Sequence, residues 1–160
     1  MEMPHRMDIP KLALSVAVPQ MAGAVGALFT YPAISGWYAS LAKPWFTPPP
    51  WIFAPVWTFL YLLMGIALYL VMQKSGREAK KGILIFGIQL ALNVAWSVLF
   101  FGLHNPGAGL VGIVLLWIAI AAAMRQFMKI DPRAAYMLAP YILWVTFAAV
   151  LNYYVWILNA

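Results

Sequence analysis

Residues 82–124 read GILIFGIQLALNVAWSVLFFGLHNPGAGLVGIVLLWIAIAAAM, 43 residues without one charged side chain. A helix that crosses a bilayer takes about 20 mostly apolar residues, so this stretch is long enough for two. His104-Asn105-Pro106-Gly107, near its middle, is a turn sequence that divides them. Working outward, the uncharged gaps from Lys11 to Lys43, from Lys43 to Lys74, and beyond Arg133 each have room for one more. The spacing predicts spans at approximately 12–30, 52–72, 83–103, 108–128 and 136–157. The fold class is therefore an all-α membrane protein, a five-transmembrane-helix bundle, with the whole chain 1–160 as one domain. The first span is expected to stay with the chain and not to be a cleaved signal, because Pro19 interrupts its apolar run and no small-residue cleavage site follows.

Composition agrees. Of 160 residues, 65% are hydrophobic and 9% charged, and mean hydropathy is +0.85. A soluble domain carries about 25% charged residues. The net charge of +6 does not indicate nucleic acid, because the basic residues are too few and too separated to track phosphates. They flank spans instead. Arg6, Lys11, Lys74, Arg77, Lys80, Lys81, Arg125, Lys129 and Arg133 fall on one side and Lys43 alone on the other, which predicts a cytoplasmic N-terminus. Arg125, at the end of the fourth span, is expected to snorkel to the interface.

Catalytic constellations are absent from the pattern. Cysteine is missing, and the four acids (Glu2, Asp8, Glu78, Asp131) lie outside the predicted spans. His5 and His104 fall on opposite sides of the membrane. No carboxylate pair, nucleophile–base pair or metal-ligand cluster can be assembled, and no metal or required cofactor is expected. Proton-coupled carriers usually need an intramembrane acid or histidine, and the spans have none.

Polar residues inside the spans predict a pocket. Gln89, Asn93 and Ser97 recur every four residues and share one face of the third helix, with Trp96 and Phe100 beside it. Trp57, Tyr61 and Met64 line one face of the second helix; Tyr141, Trp144, Ala148 and Asn152 line one of the fifth. The fourth helix has only Trp117 among aliphatic residues. An unpaired amide in an apolar medium costs roughly 1–3 kcal/mol, so Gln89 and Asn93 should face the interior. They serve either as interhelical glue or as the polar points of an aromatic ligand cavity. The first loop, residues 31–51, is YPAISGWYASLAKPWFTPPPW, with five prolines and three tryptophans. It reads either as an aromatic interfacial belt or as a semi-rigid lid over an opening in the bundle. Small residues repeat in the third helix (Gly87, Ala91, Ala95) and in the first (Ala22–Gly26, Gly23–Ala27), which allows close helix approach within the bundle or in a homodimer.

WYASLAKPWFTPPPW, APVWTFLY, QLALNVAWSVLFFG and PYILWVTFAAVLNYYVW, in this order, resemble the translocator protein family (TspO/MBR, which includes the tryptophan-rich sensory proteins and peripheral-type benzodiazepine receptors). The resemblance covers about residues 19–156. It implies a five-helix fold, usually dimeric. It also implies binding of tetrapyrroles such as protoporphyrin or haem, sterols in some members, and benzodiazepine-type ligands. By motif it carries binding roles onto Trp57, Gln89, Asn93, Trp96, Trp144 and Ala148, and a lid role onto Trp37, Tyr38, Pro44 and Trp45. Tyr61 and Asn152 join the expected site from their helix faces. The family's sterol motif ends in a basic residue. Here VLNYYVWILNA has Val150, Tyr153 and Tyr154 with no Lys or Arg after them, which argues against sterol recognition through this segment and for a prokaryotic cell membrane over a mitochondrial outer membrane. Three function classes follow from the resemblance: a tetrapyrrole receptor or sensor, the favoured one; a transporter of porphyrins or sterols; and an enzyme that degrades porphyrin in light, with Trp57 and Trp144 taking part.

Overall fold

The computed structural model describes residues 7–160. Glu2, His5 and Arg6 lie outside the described residues. The elements are α1 (Ile9–Ile34), a short α2 (Trp37–Ser40), a 3-10 turn (Pro50–Ile52) leading into α3 (Phe53–Met72), α4 (Arg77–Ser97), α5 (Pro106–Ile130), a short α6 (Pro132–Met137) and α7 (Ala139–Leu158). α4 ends in a π turn, Val98–Gly102. Among the described residues, five helical segments are long and apolar enough to cross a membrane. The third predicted span is thus α4, the fourth α5 and the fifth α6–α7.

Local chemistry sets the ends. Asp8 caps α1 by accepting from the Lys11 amide at 3.1 Å. Asn105 caps α5 by accepting from the Ala108 amide at 2.9 Å, with Pro106 at the first position, where its missing N–H costs nothing. Gly76, at φ 101°, makes the turn into α4 in a conformation other residues resist. Asp131 caps α6 through the Arg133 amide at 3.0 Å, and its carboxylate also takes the Arg133 guanidinium at 2.9 Å. That pairing holds the Asp131 carboxyl below its usual range.

α1 runs through both Pro19 and Pro32 to Ile34, so the non-helical stretch begins at Ser35 and not at 31 as expected. A proline removes one hydrogen bond to the carbonyl four residues earlier, a defect that membrane helices tolerate when a neighbour packs over it. The carbonyl that Pro19 leaves without its helical donor belongs to Ser15, and α3 packs there through Gly65. A Cβ on Gly65 would lie 2.6 Å from Val16 Cα and 2.9 Å from the Ser15 oxygen. Only glycine permits this backbone-to-backbone approach.

The most extensive packing is α4 on α5 and α1 on α3, with α5–α7, α1–α4 and α3–α6 completing the bundle. Met64, Phe86, Ile113, Leu116, Phe127, Leu138 and Val145 form the centre of the core. α1 is the least buried of the five spanning segments. That peripheral placement leaves space between its outer half and α3, α4.

Candidate functional site

A cavity of about 660 Å³ occupies this space, under the loop that joins α1 to α3. The volume is within the range of small-molecule sites, about 300–1,000 Å³. α3 contributes Phe53, Ala54, Trp57, Thr58 and Tyr61, and α4 contributes Asn93, Trp96, Ser97 and Phe101. α1 contributes mainly small residues, Gly23, Ala24, Gly26 and Ala27, with Gln20 and Thr30. Tyr38 of α2 and Trp51 close the end. Among the described residues, no charged side chain, histidine, cysteine or methionine is in this lining.

The aromatic wall is continuous. Trp57 and Tyr61 are one helical turn apart on α3, and their rings stack with centroids 5.5 Å apart and planes at 28°. Trp96 lies 6.2 Å from Trp57. Two hydrogen bonds fix its orientation from behind: its indole N–H donates to Asn152 Oδ1 at 3.1 Å, and Asn152 Nδ2 donates to the Pro106 carbonyl at 2.7 Å. Gly23 abuts the Tyr61 ring so closely that any Cβ there would collide with it.

A polar chain crosses three helices behind this wall. The Tyr61 hydroxyl donates to Asn93 Oδ1 at 2.6 Å, Asn93 Nδ2 donates to the Tyr141 oxygen at 3.0 Å, and the Tyr141 hydroxyl donates to Gln89 Oε1 at 3.0 Å. Asn93 thus spends both ends of its amide on protein partners. Gln89 Nε2 and the Trp144 indole nitrogen are buried without a hydrogen-bond partner among the described residues. Buried donors of this kind are rare in folded proteins and call for an acceptor.

Of the residues expected at the site, Trp57, Tyr61, Asn93, Trp96 and Tyr38 come together in the cavity wall. Gln89 and Asn152 sit behind it, bonding α4 to α7. Trp144 stands behind Phe53, rings 6.1 Å apart and nearly perpendicular, and Ala148 is one turn further along the same buried side of α7. In the loop, Trp37 stacks on His104 with centroids 4.6 Å apart, the Pro44 carbonyl accepts from the Thr47 hydroxyl at 2.7 Å, and Trp45 is 95% exposed and does not line the cavity. Burial pushes the Tyr38 hydroxyl up to about 12. Trp117 lies on the outer side of α5 and donates to the Thr146 hydroxyl at 2.8 Å, joining α5 to α7 away from the site.

Sequence reading missed the contribution of α1. Its signal was present in the run Ala22-Gly23-Ala24-Val25-Gly26-Ala27, whose small side chains make room for a cavity as well as for a neighbour. It also missed Phe53 and Thr58, and did not single out Trp51 within the 31–51 loop; the turn at Pro50–Ile52 and the first turns of α3 bring these residues to the rim.

Residues 15–157 match the TspO/MBR family model. The chain is 43% identical over 154 residues to the tryptophan-rich protein TspO of Chlorobaculum tepidum, covering 95% of this chain and 98% of that one. It is 42% identical to the tryptophan-rich protein TspO of Archaeoglobus fulgidus, over 96% of this chain and all of the relative. It is 38% identical to the translocator protein of Homo sapiens, over 92% of this chain and 89% of the human one. Five membrane-crossing segments, a loop-capped aromatic cavity and these full-length matches agree: this integral membrane protein belongs to the TspO/MBR family.

Proposed function

We propose that this protein is a membrane receptor or sensor that holds a flat, largely apolar ligand of the tetrapyrrole class in the cavity between α1, α3 and α4. The observation that carries the proposal is the cavity itself: about 660 Å³, walled by Trp57, Tyr61, Trp96 and Phe101, with no charge in its lining among the described residues. Aromatic faces favour offset or edge contact with another ring system, and an apolar wall rewards burial of a macrocycle. The two unpaired donors, Gln89 Nε2 and the Trp144 N–H, would serve ligand acceptor atoms if Phe53 swung aside and extended the site toward Trp144 and Ala148. Ligand carboxylates would remain at the rim, since nothing in the lining pairs with them. The experiment is a titration of the purified protein in lipid nanodiscs with protoporphyrin and, separately, a sterol, followed by tryptophan quenching. Saturable quenching by protoporphyrin at a stoichiometry of one per chain is expected; saturation by the sterol alone would replace the ligand class.

The proposal extends to assembly. Gly87 and Ala91 lie on the exposed side of α4, and a Cβ added to Gly87 would meet nothing within 4 Å. The small residues Gly23 and Gly26 of α1 instead face α3 and α4. The α4 stripe is thus the surface on which two copies can pack closely. Crosslinking in lipid should give a dimer that Ala91→Leu abolishes; a dimer unchanged by Ala91→Leu would refute the assignment. The basic residues flanking α3–α4 and α5–α6 favour a cytoplasmic N-terminus, and the bacterial and archaeal relatives favour a prokaryotic cell membrane.

A further inference from the structure

We infer that the cavity fills from the lipid phase, through a side opening between α1 and α3, and not through the loop that covers its end; the inference rests on the reading of the cavity as the ligand site.

The loop is fastened at several independent points. The Asn159 side chain, beside the end of α7, accepts from the Ala42 amide at 2.9 Å and donates to the Ala42 carbonyl at 2.9 Å, spanning 117 residues of sequence. Its Nδ2 also donates to the Val155 carbonyl at 2.7 Å, which holds the amide in place. The Lys43 ammonium donates to the carbonyls of Tyr38, Ala39 and Leu41 at 2.8, 3.2 and 2.8 Å and lies 5.1 Å from the Tyr38 ring centroid. Trp37 is stacked on His104, and Phe46 meets Phe147 and Tyr154 edge-on. The Asn159 pair and the aromatic contacts tie the loop to α7 and to the turn before α5, while the Lys43 bonds brace the loop internally. Entry past the loop requires breaking the ties to the bundle.

The side wall is built differently. Ala24 and Tyr31 of α1 and Ala54 and Thr58 of α3 all line the cavity and are all exposed. Below them the two helices are in backbone contact at Gly65 and ring contact at Gly23, so the floor is sealed. The sill is one hydrogen bond, Gln20 Nε2 to the Thr58 carbonyl at 3.1 Å. From Ala24 to Tyr31 the gap rises about 10 Å along α1, at 1.5 Å per residue. Alanine at 24, 27 and 54 leaves the gap unfilled, and the exposed rings of Tyr31 and Trp51 mark its outer edge, where aromatic side chains favour the headgroup level. A flat apolar ligand concentrates in the bilayer and meets this opening directly.

Stopped-flow quenching with protoporphyrin in nanodiscs separates the two routes. The double variant Ala24→Trp/Ala54→Trp fills the side opening, and Thr58→Phe does so with a single exposed change. Both should slow association and dissociation together, the double variant by about tenfold or more, whereas a damaged site would release ligand faster. Asn159→Ala, which removes the loop's hydrogen bonds to α7, should leave both rates within about twofold of wild type. Faster exchange in Asn159→Ala with unchanged rates in the side-opening variants would overturn the inference in favour of the loop route. Absence of saturable quenching in the wild type would instead overturn the ligand-site reading itself.

Discussion

Replacing Trp57 by alanine should weaken tetrapyrrole binding more than any other single tryptophan loss. Trp57 is the middle ring of the wall, between Tyr61 at 5.5 Å and Trp96 at 6.2 Å. A ligand covering one of its faces would bury about half of the 150–250 Å² that an aromatic side chain contributes when fully buried. At about 25 cal/mol per Å² that is roughly 2–3 kcal/mol, with stacking adding to it and relaxation of the neighbouring rings taking some back. A net loss of about 2–3 kcal/mol corresponds to a Kd about 30- to 150-fold higher. Trp117→Ala is the control: it removes a membrane tryptophan bonded to Thr146 on the outer side of α5, so it should cost stability and leave affinity near wild type. The assay is a titration followed by porphyrin absorbance in nanodiscs, with each variant first shown to be folded by circular dichroism. Equal losses of affinity in Trp57→Ala and Trp117→Ala would refute the placement of the site.

Trp144→Ala should weaken binding less than Trp57→Ala but more than Trp117→Ala, because Trp144 backs Phe53 without lining the cavity; an effect equal to that of Trp117→Ala in the same titration would exclude α7 from the site. Haem and metal-free protoporphyrin should bind within about threefold of each other, since the described lining holds no histidine, cysteine or methionine to ligate iron and tyrosine is a neutral phenol at neutral pH; a low-spin, two-ligand haem spectrum would contradict this. The Asp131–Arg133 pair lowers the folded-state pKa of Asp131, so its stabilisation is present in full above the unfolded value, about 3.9, and is lost as pH falls through the folded one. Thermal melts should therefore show Asp131→Asn destabilised at neutral pH and converging with wild type only in strong acid; a constant difference down to pH 2 would argue against the pair.

Hydrophobic spacing carried most of the fold. Spans of about 20 uncharged residues leave the chain little alternative to crossing a bilayer, and turn residues at 104–107 divide the long run unambiguously. Proline was the misleading signal: inside a soluble helix Pro32 would mark an end, but in α1 the helix continues two residues beyond it. At the site, polar periodicity located Asn93 and Gln89 correctly as interior groups, yet it could not say which of them reaches the cavity. Asn93 borders it and Gln89 does not, a difference set by how α1, α3 and α4 pack around the cavity. Small residues were the least legible. Gly23 and Gly26 follow the same repeat as Gly87 and Ala91, but the first pair faces inward and the second outward, and sequence spacing alone does not distinguish them.

A structure of the protoporphyrin complex determined in lipid tests most directly whether the ligand sits between α1, α3 and α4. The macrocycle should lie against Trp57 and Trp96, under Tyr38, with its carboxylates toward the rim near Trp51. A macrocycle on the outer face of α5 beside Trp117, or on the exposed stripe of α4 at Gly87 and Ala91, would contradict it.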